Sequence, residues 1–250
     1  MSQYDDVVYK KNFLKQVIVR FDFVAPIPGL ESSLPQKLAA DLTANFPIQE
    51  PQSGKVFQFN IGPEQASKVE KPFNQYNFFG KERDRQLTVA SNYMFVVYNK
   101  YANYEEMRKA VREAVTAIDN PYPDTRVSRF GLRYINAIEM NGEPLSQWGK
   151  FICPDLLTAL GRFDKNALTR WIQQSEIKCG ELDLRFLFGL LNPDYPSVIR
   201  RAIFTLDFDA YAQGAHELTK SLQYMDQAHA CIQEQFERSI TKEFRDHMNA

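Results

Sequence analysis

Two arginines stand four positions apart in the stretch RFGLRYINAIEM, which begins at Arg129. Its alternation of apolar and polar residues predicts a β-strand on which Arg129 and Arg133 share one face, with Gly131 between them. A guanidinium group donates through a planar fork that matches a carboxylate or a phosphate. Two such groups on one face could recognise an anion, or they could form ion pairs that stabilise a sheet.

Charged residues alternate in the same way along two later stretches, around 183–185 and 207–209. If these strands share a sheet, its polar face carries six candidate ligand-binding residues: Arg129, Arg133, Asp183, Arg185, Asp207 and Asp209. Asp207 and Asp209 could also serve as metal ligands or as an acid/base pair. The alternative is a solvated face crossed by weak ion pairs, and we favour it because alternation alone predicts polar outer faces.

One histidine, His229, falls on the apolar stripe of a predicted C-terminal helix. It could be a general base with a ligand in the groove beneath it, or a core histidine with one hydrogen-bonded nitrogen, which is the commoner case. His216 and His247 are isolated, and no zinc-binding spacing occurs. We therefore predict no metal and no cofactor.

Recognisable catalytic motifs are missing from the sequence. It contains no GxSxG, no GxGxxG, no P-loop and no paired CxxC. We assign no catalytic residue and lean towards a protein that is not an enzyme. Asn136, on the apolar side of the opening strand, needs a hydrogen-bond partner if it is buried.

The charge balance argues against nucleic acid as a partner. The chain of 250 residues has 30 Lys and Arg and 31 Asp and Glu, a net charge of −1, so no global field attracts a polyanion. Segment 73–85 joins four aromatics to the mixed-charge run KERDR. It could bind single strands, but a solvated loop before a strand is the better interpretation.

The sequence predicts a soluble cytoplasmic protein. No signal peptide opens the chain, and no stretch approaches the about 20 apolar residues of a membrane span. Cys153, Cys179 and Cys231 are odd in number and widely spaced. This pattern favours a reducing compartment over a disulfide framework.

Periodicity predicts the elements that position these residues. Besides the opening stretch, strands are expected at 17–24, 55–61, 86–90, 94–99, 170–178, 181–190 and 199–208. Helices are expected over 34–46, from the N-cap Asn103 to the turn at 120–124, over 154–160, and from Thr219 towards the C-terminus. Antiparallel hairpins mixed with a few helices indicate an α+β fold, with mostly antiparallel sheet packed by helices and a long C-terminal helix.

The chain divides into an N-terminal α+β half, 1–140, and a C-terminal half of strands and a long helix, 141–250. We expect the two to form one compact unit. They could be related by duplication, although no residue pattern repeats between them.

Three stretches together resemble a known family. They are QLTVASNYMFVVYNKYANYEEMRKAV, GLRYINAIEM and the closing FERSITKEFR. In this order they resemble a sporadically distributed bacterial family of uncharacterised proteins, in which an LRYIN strand follows a helix and an FExxIT helix closes the chain. The family often has tryptophan where this chain has Tyr104. The resemblance implies an accessory gene, such as one in a defence or toxin-neutralising locus, and brings no catalytic residues.

These expectations converge on a cytosolic binding or regulatory protein. Its partner would be another protein or a small anionic ligand, and a homo-oligomer is open. The alternative is an enzyme or nucleotide-sensing module whose site is the arginine and aspartate face.

Overall fold

The computed structural model describes residues 7–61, 66–140 and 144–250, and their side chains except over 55–72. The elements in chain order are β1 (Leu14–Phe23), α1 (Gln36–Thr43), β2 (Ile48–Ile61), β3 (Ala66–Phe79), β4 (Arg85–Ala90), β5 (Tyr93–Tyr98), α2 (Tyr104–Asp119), β6 (Arg126–Glu139), α3 (Pro154–Leu157), β7 (Trp171–Cys179), β8 (Leu182–Leu190), β9 (Ile203–Glu217), α4 (Ser221–Ser239) and α5 (Lys242–Asn249). Two 3-10 helices, Leu145–Lys150 and Thr158–Arg162, flank α3.

The nine strands form one antiparallel sheet in the order β2-β3-β4-β5-β1-β6-β9-β8-β7. This confirms the predicted α+β class. Strand β6, in the first half of the chain, pairs with β9 of the second half over nearly its whole length. The opening stretch therefore lies near the centre of the sheet.

One face of the sheet carries the core. On β1, Val17, Val19 and Phe21 are fully buried, while the intervening Arg20 is exposed. Helix α4 packs across β6, β8 and β9. This arrangement follows from the period-two pattern, because each strand turns its apolar residues towards the helices and its polar residues away from them.

Helix α2 begins as its sequence predicts. The Asn103 side chain accepts a hydrogen bond from the Glu106 backbone N–H at 2.9 Å, and its Nδ2 donates to the Glu106 side chain. The first bond satisfies one of the backbone N–H groups that the first turn leaves without a partner. The apolar face of α2 is buried, and its buried residues run from Met107 to Ile118.

Several elements differ from the predictions. Strand β2 begins at Ile48, seven residues before the predicted start at 55, and it includes Pro51. Because β2 is an edge strand, the absence of a backbone N–H at Pro51 is tolerated there. Strand β3 was not predicted, and β9 runs from Ile203 to Glu217 instead of over 199–208.

The C-terminal helix is also interrupted, at Ile240. Ile240 adopts an extended conformation and forms a β-bridge with Ile152. Thr241 then caps α5 by accepting the Phe244 N–H at 3.2 Å. A continuous apolar stripe does not reveal such a break, because the break depends on a partner about 90 residues away in the chain.

The expectation of three reduced cysteines is wrong for one pair. Cys179 and Cys231 form a disulfide that joins the end of β7 to α4, while Cys153 is free. The two residues lie 52 positions apart and meet only because α4 crosses this part of the sheet. Cysteine usage therefore no longer argues for a reducing compartment.

None of the described helices is both long enough and apolar enough to cross a membrane.

Within segment 73–85, Tyr76 and Phe78 are buried in the core, and 81–84 form the turn between β3 and β4. Those two aromatic rings are therefore not exposed for stacking on bases.

Candidate functional site

All six predicted site residues lie on one continuous patch of β6, β9 and β8, which we call the arginine–aspartate face. Arg133 lies directly opposite Asp209, which in turn lies opposite Arg185. Asp183 lies opposite Tyr211 on the same face. The alternation of polar residues thus predicted a real cluster.

The charges of this face are largely paired with one another. Arg133 donates to both Asp207 carboxylate oxygens, at 2.8 and 2.6 Å, and Arg129 donates to Asp209 at 3.1 Å. Hydrogen bonding to Asp207 raises the pKa of Arg133. Burial raises the pKa of Asp209, although the surrounding arginines oppose that shift. An anion binding here would have to displace these carboxylates.

Glycine at position 131 makes room for Arg129. A Cβ at this position would lie 2.9 Å from Arg129 Nη1, so the guanidinium lies over the bare backbone. It also lies 4.9 Å from the centre of the Tyr211 ring. Gly131 therefore leaves space for the Arg129 guanidinium on its way to Tyr211 of β9.

Metal binding by this face has no geometric support. Arg133 already occupies both oxygens of Asp207. Among the described residues, no group of three histidines, cysteines or acidic residues is arranged to hold a metal ion.

A second site lies on the helix side of the sheet, in a cavity of about 540 Å³ that we call the tyrosine cavity. The segment before β1, the start of α2, strand β6, and helices α4 and α5 form its walls. Its aromatic lining residues are Tyr9, Phe13, Tyr101, Tyr104, Tyr134, His229 and Phe236. Cavities of roughly 300–1,000 Å³ with mostly apolar walls and a few polar groups are typical small-molecule sites.

A hydrogen-bonded chain of three side chains lines this cavity. The Tyr101 and Tyr134 hydroxyls lie 3.2 Å apart, and the Tyr134 hydroxyl lies 3.0 Å from His229 Nδ1. When Nδ1 is the acceptor, Tyr134 donates to His229 and accepts from Tyr101. Protonation of Nδ1 reverses the direction of both bonds, so the chain can accommodate either protonation state of the imidazole.

His229 is further fixed by stacking on Tyr104. Their ring centroids are 3.8 Å apart and the planes differ by 2°. The Tyr104 hydroxyl donates to Asp226 at 2.6 Å, and Arg108 binds the same carboxylate with two nitrogens. Burial would raise the pKa of Asp226, but these hydrogen bonds outweigh it and lower the pKa. A charged Asp226 therefore holds the stacked pair in place.

Asn136 supplies a further polar group to the cavity. It is buried, and its Nδ2 donates to the Leu206 carbonyl at 3.2 Å, the partner that its burial requires. Its Oδ1 has no hydrogen-bond partner among the described residues. Asn136 lines the cavity, so we expect its Oδ1 to be open to a molecule bound there.

The outer wall of the cavity is held by a buried carboxylate. Glu237 is 1% exposed and accepts hydrogen bonds from Tyr9 at 2.7 Å and from Arg245 at 2.7 Å. Burial raises the pKa of Tyr9 above its usual value, and the bond to Glu237 adds to the shift. The segment that carries Tyr9 and Phe13 is thereby fixed against α4 and α5.

The sequence indicated only part of this cavity. The position of His229 on an apolar helical stripe left open a groove beneath it, as the less common alternative to a core histidine, and His229 lines the cavity in the structure. The tyrosines were missed because an isolated tyrosine is an ordinary core residue. Tyr101 and Tyr104 flank the Asn103 cap, and this clustering is the one signal that could have marked them.

Alkaline pH is expected to destabilise the fold through the tyrosines. Burial raises the pKa of Tyr98 and of Tyr101 to about 12, and it raises the pKa of Tyr134 well above the usual value. A tyrosine in an unfolded chain has a pKa of ~10. The stabilisation is therefore complete below that pH and is lost as the pH rises towards the folded values. Urea midpoints measured across this range should fall steeply, and less steeply in Tyr101→Phe; equal slopes would contradict the prediction.

Comparison of the chain with protein-family models finds no match, and comparison with curated proteins also finds none.

Proposed function

We propose that this protein is a binding or regulatory protein that holds a small, uncharged organic molecule in the tyrosine cavity. The observation that carries the proposal is the Tyr101–Tyr134–His229 chain, which places directional polar groups in a mostly apolar cavity. In small-molecule sites, a few polar groups among mostly apolar walls fix the orientation of the bound molecule.

The charges around the cavity favour an uncharged ligand. No lysine or arginine is among its described lining residues. Its lining carboxylate, Glu105, is exposed and lies in the first turn of α2, where it offsets the partial positive charge of the helix end. Arg108 and Arg245, close to the walls, already bind Asp226 and Glu237. A charged ligand would lose hydration without gaining a partner.

The arrangement of the walls favours a flat ring with a hydrogen-bond donor. The stacked Tyr104 and His229 rings provide an aromatic surface, and Phe13 and Phe236 add apolar area. The Asn136 Oδ1 can accept a hydrogen bond from the ligand. Aromatic rings next to one another bind planar apolar groups well.

Filling the cavity is expected to abolish binding. Ala102 lines the cavity and is exposed, so Ala102→Trp adds bulk without removing a described hydrogen bond. We expect the dissociation constant of a ligand identified by native mass spectrometry of the gently purified protein to rise at least about tenfold. The matched control is Ala215→Trp, at an exposed alanine of β9 outside the cavity. Equal affinity in both variants would contradict the proposal.

The arginine–aspartate face supports a second candidate, a site for a small anion or an acidic protein surface. Arg129 and Arg185 both lie over the Tyr211 ring, at 4.9 and 5.9 Å. Tyr211→Ala would weaken binding there and leave the tyrosine cavity intact, whereas Ala102→Trp would do the reverse. An enzyme or nucleotide-sensing module would also use this face, but the existing ion pairs make it the weaker candidate.

The resemblance to the sporadically distributed bacterial family supports a regulatory role only by association. Accessory genes of defence or toxin-neutralising loci often act through partners, and a cytosolic protein of that kind could respond to a bound molecule. The same native mass spectrum separates the cases, because a small ligand and a stoichiometric protein partner give different added masses.

A further inference from the structure

The free edge of β7 is regular and has neither a proline nor a bulge to block strand pairing, and its two charged residues are Glu176 and Lys178. β7 lies at one end of the sheet and pairs with β8 in unbroken register, from Trp171 opposite Leu190 to Cys179 opposite Leu182. It contains no proline, and no backbone hydrogen bond joins it to a described residue outside β8. The strand at the other end, β2, contains Pro51. Prolines and bulges protect exposed edges, and β7 has neither.

The charges of β7 are paired with residues of β8. Lys178 Nζ lies 2.5 Å from Asp183 Oδ1, and Arg185 Nε donates to Glu176 Oε1 at 3.1 Å. The side chains of Glu176 and Lys178 thus lean from β7 towards β8. They leave the outer backbone groups of β7 open to another strand.

Exposed apolar side chains gather beside this edge. On β7, Ile172 and Ile177 are 38% and 41% exposed. Loop 191–198, which follows β8, carries three more exposed apolar side chains. This loop lies close to the start of β7, because the guanidinium of Arg170 stacks 4.2 Å from the centre of the Tyr195 ring. Apolar surface that collects in one place marks an interaction site.

We propose that β7 pairs with β7 of a second copy of this chain, across a two-fold axis at Gln173. A two-fold axis makes the strands antiparallel and uses the same edge twice. In this register, Glu176 of each copy lies opposite Arg170 of the other. The exposed Glu176 carboxylate is shared between Arg185 of its own chain and this Arg170, and no like charges lie opposite one another. Ile172 lies next to the two-fold axis, diagonally across from Ile172 of the second copy. The two nine-stranded sheets become continuous, and the exposed edge disappears.

The choice of a second copy rests on this charge complementarity. An unrelated strand could use the same backbone groups, but it would need to bring its own matching acid and base. The chain already carries both, on either side of Gln173, at equal distances from the axis.

Charge reversal tests the proposal on the full chain. Sedimentation equilibrium of the wild type is expected to show a reversible dimer. Glu176→Arg and Arg170→Glu each place like charges opposite one another, and each should raise the dimer dissociation constant at least about tenfold. The double variant restores opposite charges and should return to within about threefold of the wild type. Glu181→Arg, in the turn after β7, is the matched control and should change nothing.

Each alternative outcome overturns the proposal. A wild type that stays monomeric up to its solubility limit excludes the dimer. If neither single reversal changes the dimer dissociation constant, the dimer uses another surface. If the double variant dissociates as readily as the single variants, this register is excluded. Thermal unfolding of every variant identifies any loss of dimer that comes from misfolding, and Ile172→Lys then gives a second reading of the same edge.

Discussion

Arg245→Met is expected to lower the free energy of unfolding by about 3–5 kcal/mol, the usual cost of removing one partner of a buried ion pair. Arg245 Nε lies 2.7 Å from Glu237 Oε2, and another of its nitrogens donates to the Glu237 carbonyl. The Glu237 side chain is 1% exposed. Without the guanidinium, the described hydrogen-bond partners of the Glu237 carboxylate would be Tyr9 and Gln233, and both are neutral. Urea unfolding near pH 7 measures the loss.

Two further variants make this expectation specific. Arg238→Met removes an arginine from the last turn of α4, the helix that carries Glu237. The side chains of Arg238 and its partner Glu234 are 64% and 35% exposed. That loss should be about 0.5 kcal/mol or less. The double variant Glu237→Met with Arg245→Met removes the buried charge as well and should recover more than half of the deficit. Equal losses at Arg245 and Arg238 would show that Glu237 is not held as a buried charge.

Cys179→Ala is expected to lower the free energy of unfolding by about 2–4 kcal/mol under oxidising conditions. The disulfide to Cys231 spans 52 residues, and closing a loop of that length restricts the unfolded chain by about 4 kcal/mol in the chain-entropy account. Cys179 is half-buried, so its truncation adds little packing loss. Adding a reductant should bring the wild type down to the level of the variant and should not affect the variant.

The matched control is Cys153→Ala, which removes the free thiol. It should show no dependence on the reductant beyond that of the wild type. Thiol titration of the denatured protein without reductant should find one reactive group. Three reactive groups would show that the disulfide does not form in solution.

These predictions separate stability from binding. The ion pair of Glu237 and the disulfide both hold α4 and its neighbours, and α4 supplies His229 and Phe236 to the tyrosine cavity. A variant that loses stability but retains ligand affinity when measured well below its unfolding midpoint would show that the cavity persists without that support.

The sequence by itself determined the α+β class and the facing of most strands. Period-two alternation is a local property, so it placed Leu132 and Tyr134 in the core and Arg129 and Arg133 on the polar face without knowledge of the partner strands. The Asn103 cap was equally readable, because its bonds close within three residues. Even the arginine–aspartate cluster followed from alternation, once the strands were assumed to share a sheet.

Only the tertiary structure decided what lies between these elements. The tyrosine cavity draws its lining from the segment before β1, the start of α2, strand β6 and two C-terminal helices, and the disulfide joins residues 52 positions apart. The β7 edge is open because of its place at the end of the sheet order, which no residue of β7 encodes alone. Periodicity specifies which face of an element is buried, whereas cavities, cross-links and free edges depend on which elements become neighbours, and that is fixed by packing over long distances in the chain.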